Sequence, residues 1–137
     1  MDIDYTPSKV CSEFMHSDAK MRVLMGPVGS GKSVASCFEV VRRASTQKPN
    51  KQGIRKSRVA IVRETARQLQ DTTIKTFHDW FPPGICGDYM RTTKTYCFKV
   101  GDVECEIMFR ALDDSDAVAN LNSLELTFAW FNECRDI

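Results

Sequence analysis

Residues 26–33 match the eight-residue pattern G-x-x-x-x-G-K-[ST], which restricts the possible folds of this chain more than any other feature. The eight residues are Gly26, Pro27, Val28, Gly29, Ser30, Gly31, Lys32 and Ser33. In such a loop the glycines let backbone N–H groups surround a phosphate, the lysine brings a positive charge to the β/γ oxygens, and the last hydroxyl is a ligand for Mg²⁺. The octet predicts nucleoside triphosphate binding; the alternative is a glycine-rich turn without a ligand.

The flanking residues are typical of the same site. Residues 21–25 are apolar enough for a short buried strand, and residues 33–44 have apolar side chains at helical spacing. This order of strand, loop and helix directs the amino terminus of the helix at the phosphates. The sequence therefore predicts a phosphate-loop NTPase.

Four further elements are predicted along the chain. They are a strand over 58–63, a helix that ends before Pro82-Pro83, an antiparallel hairpin of 95–100 with 103–109 around Gly101-Asp102, and a strand over 124–131. The helix follows from apolar residues at 66, 69, 74, 77, 80 and 81. The expected fold class is α/β, with a mostly parallel sheet flanked by helices and an inserted β-hairpin.

Composition indicates one soluble domain in a reducing compartment, since 42% of the residues are hydrophobic and 27% are charged. Neither a membrane span nor a signal peptide is predicted. The six cysteines form no C-x-x-C pair, so they are interpreted as small core residues and not as disulfides or zinc ligands. His16 and His78 are interpreted as structural residues.

Charge is distributed unevenly although the net charge is only +1. The segment 42–58 has no acidic residue and contains Arg42, Arg43, Lys48, Lys51, Arg55, Lys56 and Arg58. From residue 101 onward acidic residues dominate. The basic segment has two open interpretations, a solvated loop or a contact to a nucleic-acid backbone.

The last strand ends in a second polar motif, Asn132-Glu133. In the usual form of this motif, an acid on the metal side holds the water shell of Mg²⁺ and the following acid activates the attacking water. Here Asn132 takes the metal side and Glu133 the place of the base; two solvated polar residues at a strand end are the alternative. Residues 113–116 hold three aspartates, but their spacing favours a turn or helix cap over a calcium loop.

With both motifs placed, the chain resembles the ATPase domain of the large terminase subunit, the motor that packages double-stranded DNA into the procapsids of tailed phages. Four stretches support the resemblance: residues 4–7, 26–33, 62–82 and 124–137. It implies ATP and Mg²⁺ as cofactors.

The resemblance also implies roles for individual residues. Lys32 and Ser33 would hold the triphosphate and Mg²⁺, and Glu133 would activate water. Tyr5 and Pro7 lie where such proteins often place an adenine contact. Two roles stay open for Arg63 at the end of the second strand: a γ-phosphate sensor or an ordinary surface residue. The Asn at 132 departs from the commoner Asp, which leaves the strength of metal binding open.

The implied partners are double-stranded DNA, the portal protein, the small terminase subunit and further copies in a motor ring, all in the host cytoplasm. The sequence stops at Ile137, before the further sheet strands and the nuclease domain of such subunits. Residues 1–137 are therefore expected to be the incomplete amino-terminal part of the ATPase domain. Two alternatives stay open: a nucleotide-binding or assembly module without turnover, and another phosphate-loop NTPase such as a kinase or recombinase-like ATPase.

Overall fold

The computed structural model describes residues 5–6, 9–16, 32–116, 119 and 125–132, which form an α/β fold around one mixed sheet. The elements in chain order are α1 (Lys9–His16), α2 (Lys32–Ser45), β1 (Arg55–Arg63), α3 (Ala66–Gln68), a π-helical segment (Leu69–Ile74), α4 (Lys75–Trp80), β2 (Gly87–Met90), β3 (Thr95–Val100), β4 (Val103–Ala111) and β5 (Phe128–Asn132). The predicted strand over 21–25 lies outside the described residues.

The five strands have the order β2-β3-β4-β1-β5. β1 is parallel to both of its neighbours, β4 and β5. β3 is antiparallel to both β2 and β4, so the predicted hairpin is confirmed and its second strand joins the rest of the sheet through β1. The prediction of a mostly parallel sheet is wrong for the described strands, because half of their pairings are antiparallel. The reason is β2, a four-residue strand too short to show a periodic pattern.

Short turns determine the antiparallel pairings, since a turn of a few residues cannot connect parallel neighbours. Val100 pairs with Val103, which leaves Gly101-Asp102 as a two-residue turn. Gly101 has a φ of +60°, a conformation that glycine adopts without the steric cost of a Cβ.

The helices follow the predicted apolar positions. Cys37, Val40 and Ala44 of α2 are buried in the core, and α2 spans the predicted range with one extra residue at each end. α3 continues directly into the π-helical segment and α4, and the helix ends at Trp80 before the two prolines, as predicted. Strand β5 begins at Phe128, after residues 125–127, which are not in a strand.

Two side chains cap the start of α3. The Thr65 hydroxyl accepts a hydrogen bond from the Gln68 N–H (3.2 Å), and the Asp113 carboxylate accepts one from the Ala66 N–H (3.1 Å). Capping satisfies N–H groups that have no partner within the helix. The prediction that this aspartate cluster belongs to a turn or cap is confirmed for Asp113.

Aromatic side chains form the core between the helices and one face of the sheet. They are Phe77, Phe81, Tyr96, Phe98 and Phe109, all buried and linked through ring contacts. The Tyr96 hydroxyl donates a hydrogen bond to the carbonyl of Phe81 (2.9 Å), and burial raises its pKa. The aromatic core thus lies where α4 covers β3 and β4.

Four of the described cysteines are small buried side chains, as predicted. Cys11, Cys37, Cys86 and Cys105 are buried. Burial raises the pKa of Cys37 to about 12 and that of Cys105 to about 11, so both thiols remain protonated near neutral pH. Cys97 is exposed, and Cys134 lies outside the described residues.

Candidate functional site at the carboxyl ends of the parallel strands

The candidate site lies where β1, β4 and β5 end. In the sheet register Arg63, the last residue of β1, is level with both Ala111 of β4 and Asn132 of β5. α/β proteins bind their ligands in the crevice outside the carboxyl ends of parallel strands. Arg63 and Asn132 are thus placed side by side at the edge where such a protein binds its ligand.

Arg63 is buried, with only 8% of its surface exposed. One guanidinium nitrogen, Nη1, donates hydrogen bonds to the hydroxyls of Thr72 (2.8 Å) and Thr73 (3.4 Å). The alternative of an ordinary surface residue is therefore wrong. Burying a guanidinium is costly unless polar groups compensate it, and the two hydroxyls supply part of that compensation.

Asn132 is also buried, and its Nδ2 donates a hydrogen bond to the Thr73 hydroxyl oxygen (2.9 Å). One hydroxyl thereby contacts the last residue of β1 and the last residue of β5. We refer to Arg63, Thr72, Thr73 and Asn132 as the strand-end cluster.

The two threonines belong to the π-helical segment. Thr73 is 2% exposed, whereas Thr72 is exposed and its hydroxyl also donates to the carbonyl of Gln68 (2.6 Å). In an α-helix, consecutive side chains point about 100° apart. The wider π-helical turn lets two neighbouring residues reach the same guanidinium.

Sequence reasoning missed both threonines. A signal for them existed, because the apolar helix positions Leu69 and Ile74 are five residues apart instead of three or four. A spacing of five is typical of one inserted residue, and π-turns of this kind occur frequently at functional sites.

The predicted phosphate-loop residues lie mostly outside the described part of the chain. This applies to Gly26, Pro27, Val28, Gly29, Ser30, Gly31 and Pro7, and also to Glu133. Lys32 is the first residue of α2, and the half-buried Ser33 follows it. The first turn of α2 contains no acidic residue, so its amino-terminal partial positive charge is not offset there.

Tyr5 packs on the helices. Its ring stacks on Phe38 of α2 with centroids 4.2 Å apart, and it meets Trp80 of α4 edge to face at 5.6 Å. Burial raises the pKa of the Tyr5 hydroxyl. The adenine contact predicted for Tyr5 stays a prediction.

The basic segment divides into two groups. Its arginines are paired with acids: Arg42 and Arg43 with Glu39, Arg55 with Asp102, and Arg58 with Glu106. Lys48, Lys51 and Lys56 are exposed, and no carboxylate of the described residues lies within ion-pair distance of them. Within the described part of the chain, the three lysines are therefore the basic residues of this segment that no carboxylate contacts.

The described part of the chain contains no helix long and apolar enough to cross a membrane. The same residues contain no cluster of three histidine, cysteine or acidic side chains arranged to hold a metal.

The arrangement defines an α/β protein with polar side chains at the carboxyl ends of its parallel strands. The family model described as phage terminase large subunit matches residues 18–137. The chain therefore belongs to the phage terminase large subunit family, which confirms the resemblance; this family functions in DNA packaging and carries ATPase activity. Searches of the curated proteins and of the solved structures returned no match.

Proposed function

We propose that this chain binds ATP with Mg²⁺, and that it is the nucleotide-binding part of a motor whose ATP hydrolysis drives double-stranded DNA into a procapsid. The observation that best supports the proposal is the strand-end cluster. It places a buried guanidinium and a buried amide on neighbouring parallel strands, at the edge where α/β proteins bind ligands. Membership of the terminase family, which carries ATPase activity, supports the proposed reaction class.

The chemistry of these residues fits a magnesium triphosphate. A guanidinium matches the oxygens of a terminal phosphate, and hydroxyl and amide oxygens suit Mg²⁺ or its bound waters. When bound, Mg²⁺ would draw negative charge from the β- and γ-phosphate oxygens. Residues fitting this group are Arg63, Ser33 and Asn132; because the last two are neutral, binding of the metal would depend strongly on the phosphates themselves.

Each residue has a distinct part in this proposal. The phosphate loop 26–33 binds the triphosphate, with Lys32 supplying charge to the β/γ oxygens and Ser33 a hydroxyl to the metal. Arg63 contacts the terminal phosphate, and Asn132 accepts a hydrogen bond from a metal-bound water. The Glu133 carboxylate, next in the chain, orients the attacking water and accepts its proton. Tyr5 and Pro7 contact the adenine side.

The proposed partners follow from the family and the charges. Double-stranded DNA would contact the exposed lysines of the basic segment through its phosphates. The portal protein, the small terminase subunit and other copies in a motor ring are proposed partners in the host cytoplasm. Kinase and recombinase-like functions receive no support from the family match.

One observation favours a second candidate function, a nucleotide-binding or assembly module without turnover. Asn132 is a neutral amide whose Nδ2 donates a hydrogen bond to Thr73. A negatively charged carboxylate at this position would help to hold Mg²⁺, and the amide supplies no such charge. Weak metal binding would allow nucleotide to bind without efficient hydrolysis.

The two candidates are separated by measuring nucleotide binding by calorimetry and phosphate release on the full chain. The parent should bind ATP in the presence of Mg²⁺, and Lys32→Ala should bind it at least about tenfold more weakly, because the variant lacks the ammonium group that pairs with the β/γ oxygens. Glu133→Gln should bind as the parent does but hydrolyse about 10²-fold more slowly. The matched control is Lys51→Ala, which removes an exposed lysine of the basic segment.

Binding by the parent without phosphate release would identify the module without turnover. Absence of ATP binding by the parent, or unchanged binding by Lys32→Ala, would overturn the proposed function.

A further inference from the structure

We propose that Thr73 is a positioning residue that holds Arg63 and Asn132 together so that they recognise the γ-phosphate end of the nucleotide. This inference rests on the proposed function. It adds a residue outside both nucleotide motifs and assigns a role to the π-helical segment.

The first step is the number of bonds that one hydroxyl accepts. A threonine oxygen has two acceptor positions, and the Arg63 Nη1 (3.4 Å) and Asn132 Nδ2 (2.9 Å) both donate to it. All three side chains are more than nine-tenths buried, so water has little access to replace these bonds. The same oxygen atom therefore contacts both the guanidinium and the amide, while Thr72 (2.8 Å) also helps to orient the guanidinium.

The second step is the location of the three residues. Arg63 and Asn132 are register partners at the ends of β1 and β5, whereas Thr73 comes from a helix ten residues after Arg63 and 59 residues before Asn132. Thr73 thus links the ends of two strands to the helical layer. A change at Thr73 would alter both groups at once, although the sheet pairing of their backbones would remain.

The third step is the π-helical geometry of the segment that carries Thr72 and Thr73. π-helical turns are rare in comparison with regular α-helix and are found frequently at functional sites. Here the wide turn lets Thr72 and Thr73 both accept from Arg63 Nη1. Thr72 is restrained in turn by donating to the carbonyl of Gln68. A role in orienting the Arg63 guanidinium would explain why the chain forms a π-helical turn here.

This role predicts a specific change in nucleotide selectivity. ADP lacks the γ-phosphate, so a residue that orients groups toward that phosphate affects ATP binding and spares ADP binding. A residue needed only for folding would weaken both nucleotides equally.

The test compares Thr73→Val, which keeps the shape but removes the hydroxyl, with Thr73→Ser, which keeps the hydroxyl. The matched control is Thr95→Val, since Thr95 is also buried and its hydroxyl donates to the Thr93 carbonyl (3.1 Å). Calorimetry on the full chain measures the Kd of ATP and of ADP with Mg²⁺. We expect Thr73→Val to weaken ATP binding about tenfold, the usual effect of removing one charge-assisted hydrogen bond, and ADP binding less than about twofold. Thr73→Ser and Thr95→Val should resemble the parent.

A second measurement uses the parent alone, in case Thr73→Val folds poorly. In ¹⁵N NMR spectra the Asn132 side-chain amide should exchange slowly with solvent and shift more on addition of ATP than of ADP.

Equal loss of ATP and ADP binding in Thr73→Val, or an Asn132 amide that responds identically to both nucleotides, would overturn the positioning role while leaving ATP binding intact. A parent chain that binds no ATP would instead overturn the proposed function, and the positioning role with it.

Discussion

The two halves of the sheet meet at β4 but are stabilised by different chemistry. In the antiparallel half, β2, β3 and β4 pack aromatic side chains against α4, and this half forms most of the buried aromatic core. In the parallel half, β1 and β5 end in the polar strand-end cluster.

From this difference we expect one half to set mainly stability and the other to carry the proposed nucleotide site. Aromatic burial contributes favourable free energy with little polar cost. A buried guanidinium and amide reduce that gain, because they lose hydration and recover it only through a few hydrogen bonds. We therefore expect changes in the antiparallel half to alter mainly the free energy of unfolding, and changes in the strand-end cluster to alter mainly nucleotide recognition.

The largest effect on the free energy of unfolding should come from Gly87→Ala in the antiparallel half. Gly87 has a φ of +147°, and an added Cβ would lie 2.0 Å from the backbone oxygen of Cys97. The strand pair β2–β3 must then separate, so we expect the free energy of unfolding to fall by about 3 kcal/mol or more. Chemical denaturation measures this loss, and nucleotide affinity per folded molecule should stay at the parent value.

A matched control for Gly87 is Gly53→Ala. Gly53 also has a positive φ of +79°, but nothing lies within 4 Å of the added Cβ. Only the backbone conformation is then penalised, by about 1 kcal/mol. A Gly87→Ala protein that loses nucleotide affinity even when fully folded would contradict the separation of the two halves.

A smaller loss in the free energy of unfolding is expected when the pH is lowered, through protonation of His78 on α4. His78 packs against Tyr89 and Tyr96, and burial lowers its pKa from 6.5. Below about pH 6.5 the unfolded chain takes up a proton that the folded chain resists, so the free energy of unfolding falls as pH decreases toward the lower folded pKa. Denaturation curves between pH 7 and pH 5 should show a shallower loss in His78→Phe, which keeps an aromatic ring. An identical pH slope in both proteins would show that His78 does not contribute.

The contrast between the halves also explains what could be predicted from the sequence. Helix α2 and the β3–β4 hairpin depend on local periodicity and a glycine-containing turn, so both are predicted correctly. Strand β2 has only four residues and is missed, so the antiparallel share of the sheet is underestimated.

The strand-end cluster is predicted only in part. Arg63 and Asn132 are identified because they follow apolar strands, but the burial of Arg63 depends on helix residues ten positions away. The link from Thr73 to Asn132 spans 59 residues. Contacts at such separation leave no periodic trace, and the local signal was the five-residue spacing of Leu69 and Ile74.

The smallest effect on stability, within about 0.5 kcal/mol, is expected when Lys48, Lys51 and Lys56 are replaced together by Gln, because all three are exposed. This change tests whether the parallel half also contacts DNA near the start of β1. DNA affinity should fall for all sequences, and the slope of log K against log salt concentration should become shallower by up to about 2.7, which is about 0.9 for each DNA phosphate that a lysine no longer neutralises. ATP affinity should not change.

The control for the lysines is the double variant Arg55→Gln with Arg58→Gln. Both arginines lie on the same strand as Lys56, but Asp102 and Glu106 already pair with them at 3.1 Å. An arginine that is already paired with an acid neutralises DNA phosphates less than a free lysine does, so it releases fewer counterions when the protein binds DNA. Its removal should therefore change the salt slope less than the lysine variant does. The salt slopes are measured by fluorescence anisotropy on duplex DNA. Equal slopes in the lysine variant and the parent would support the alternative interpretation of the basic segment as a solvated loop. The proposed functional role of the parallel half would then be confined to the carboxyl ends of its strands.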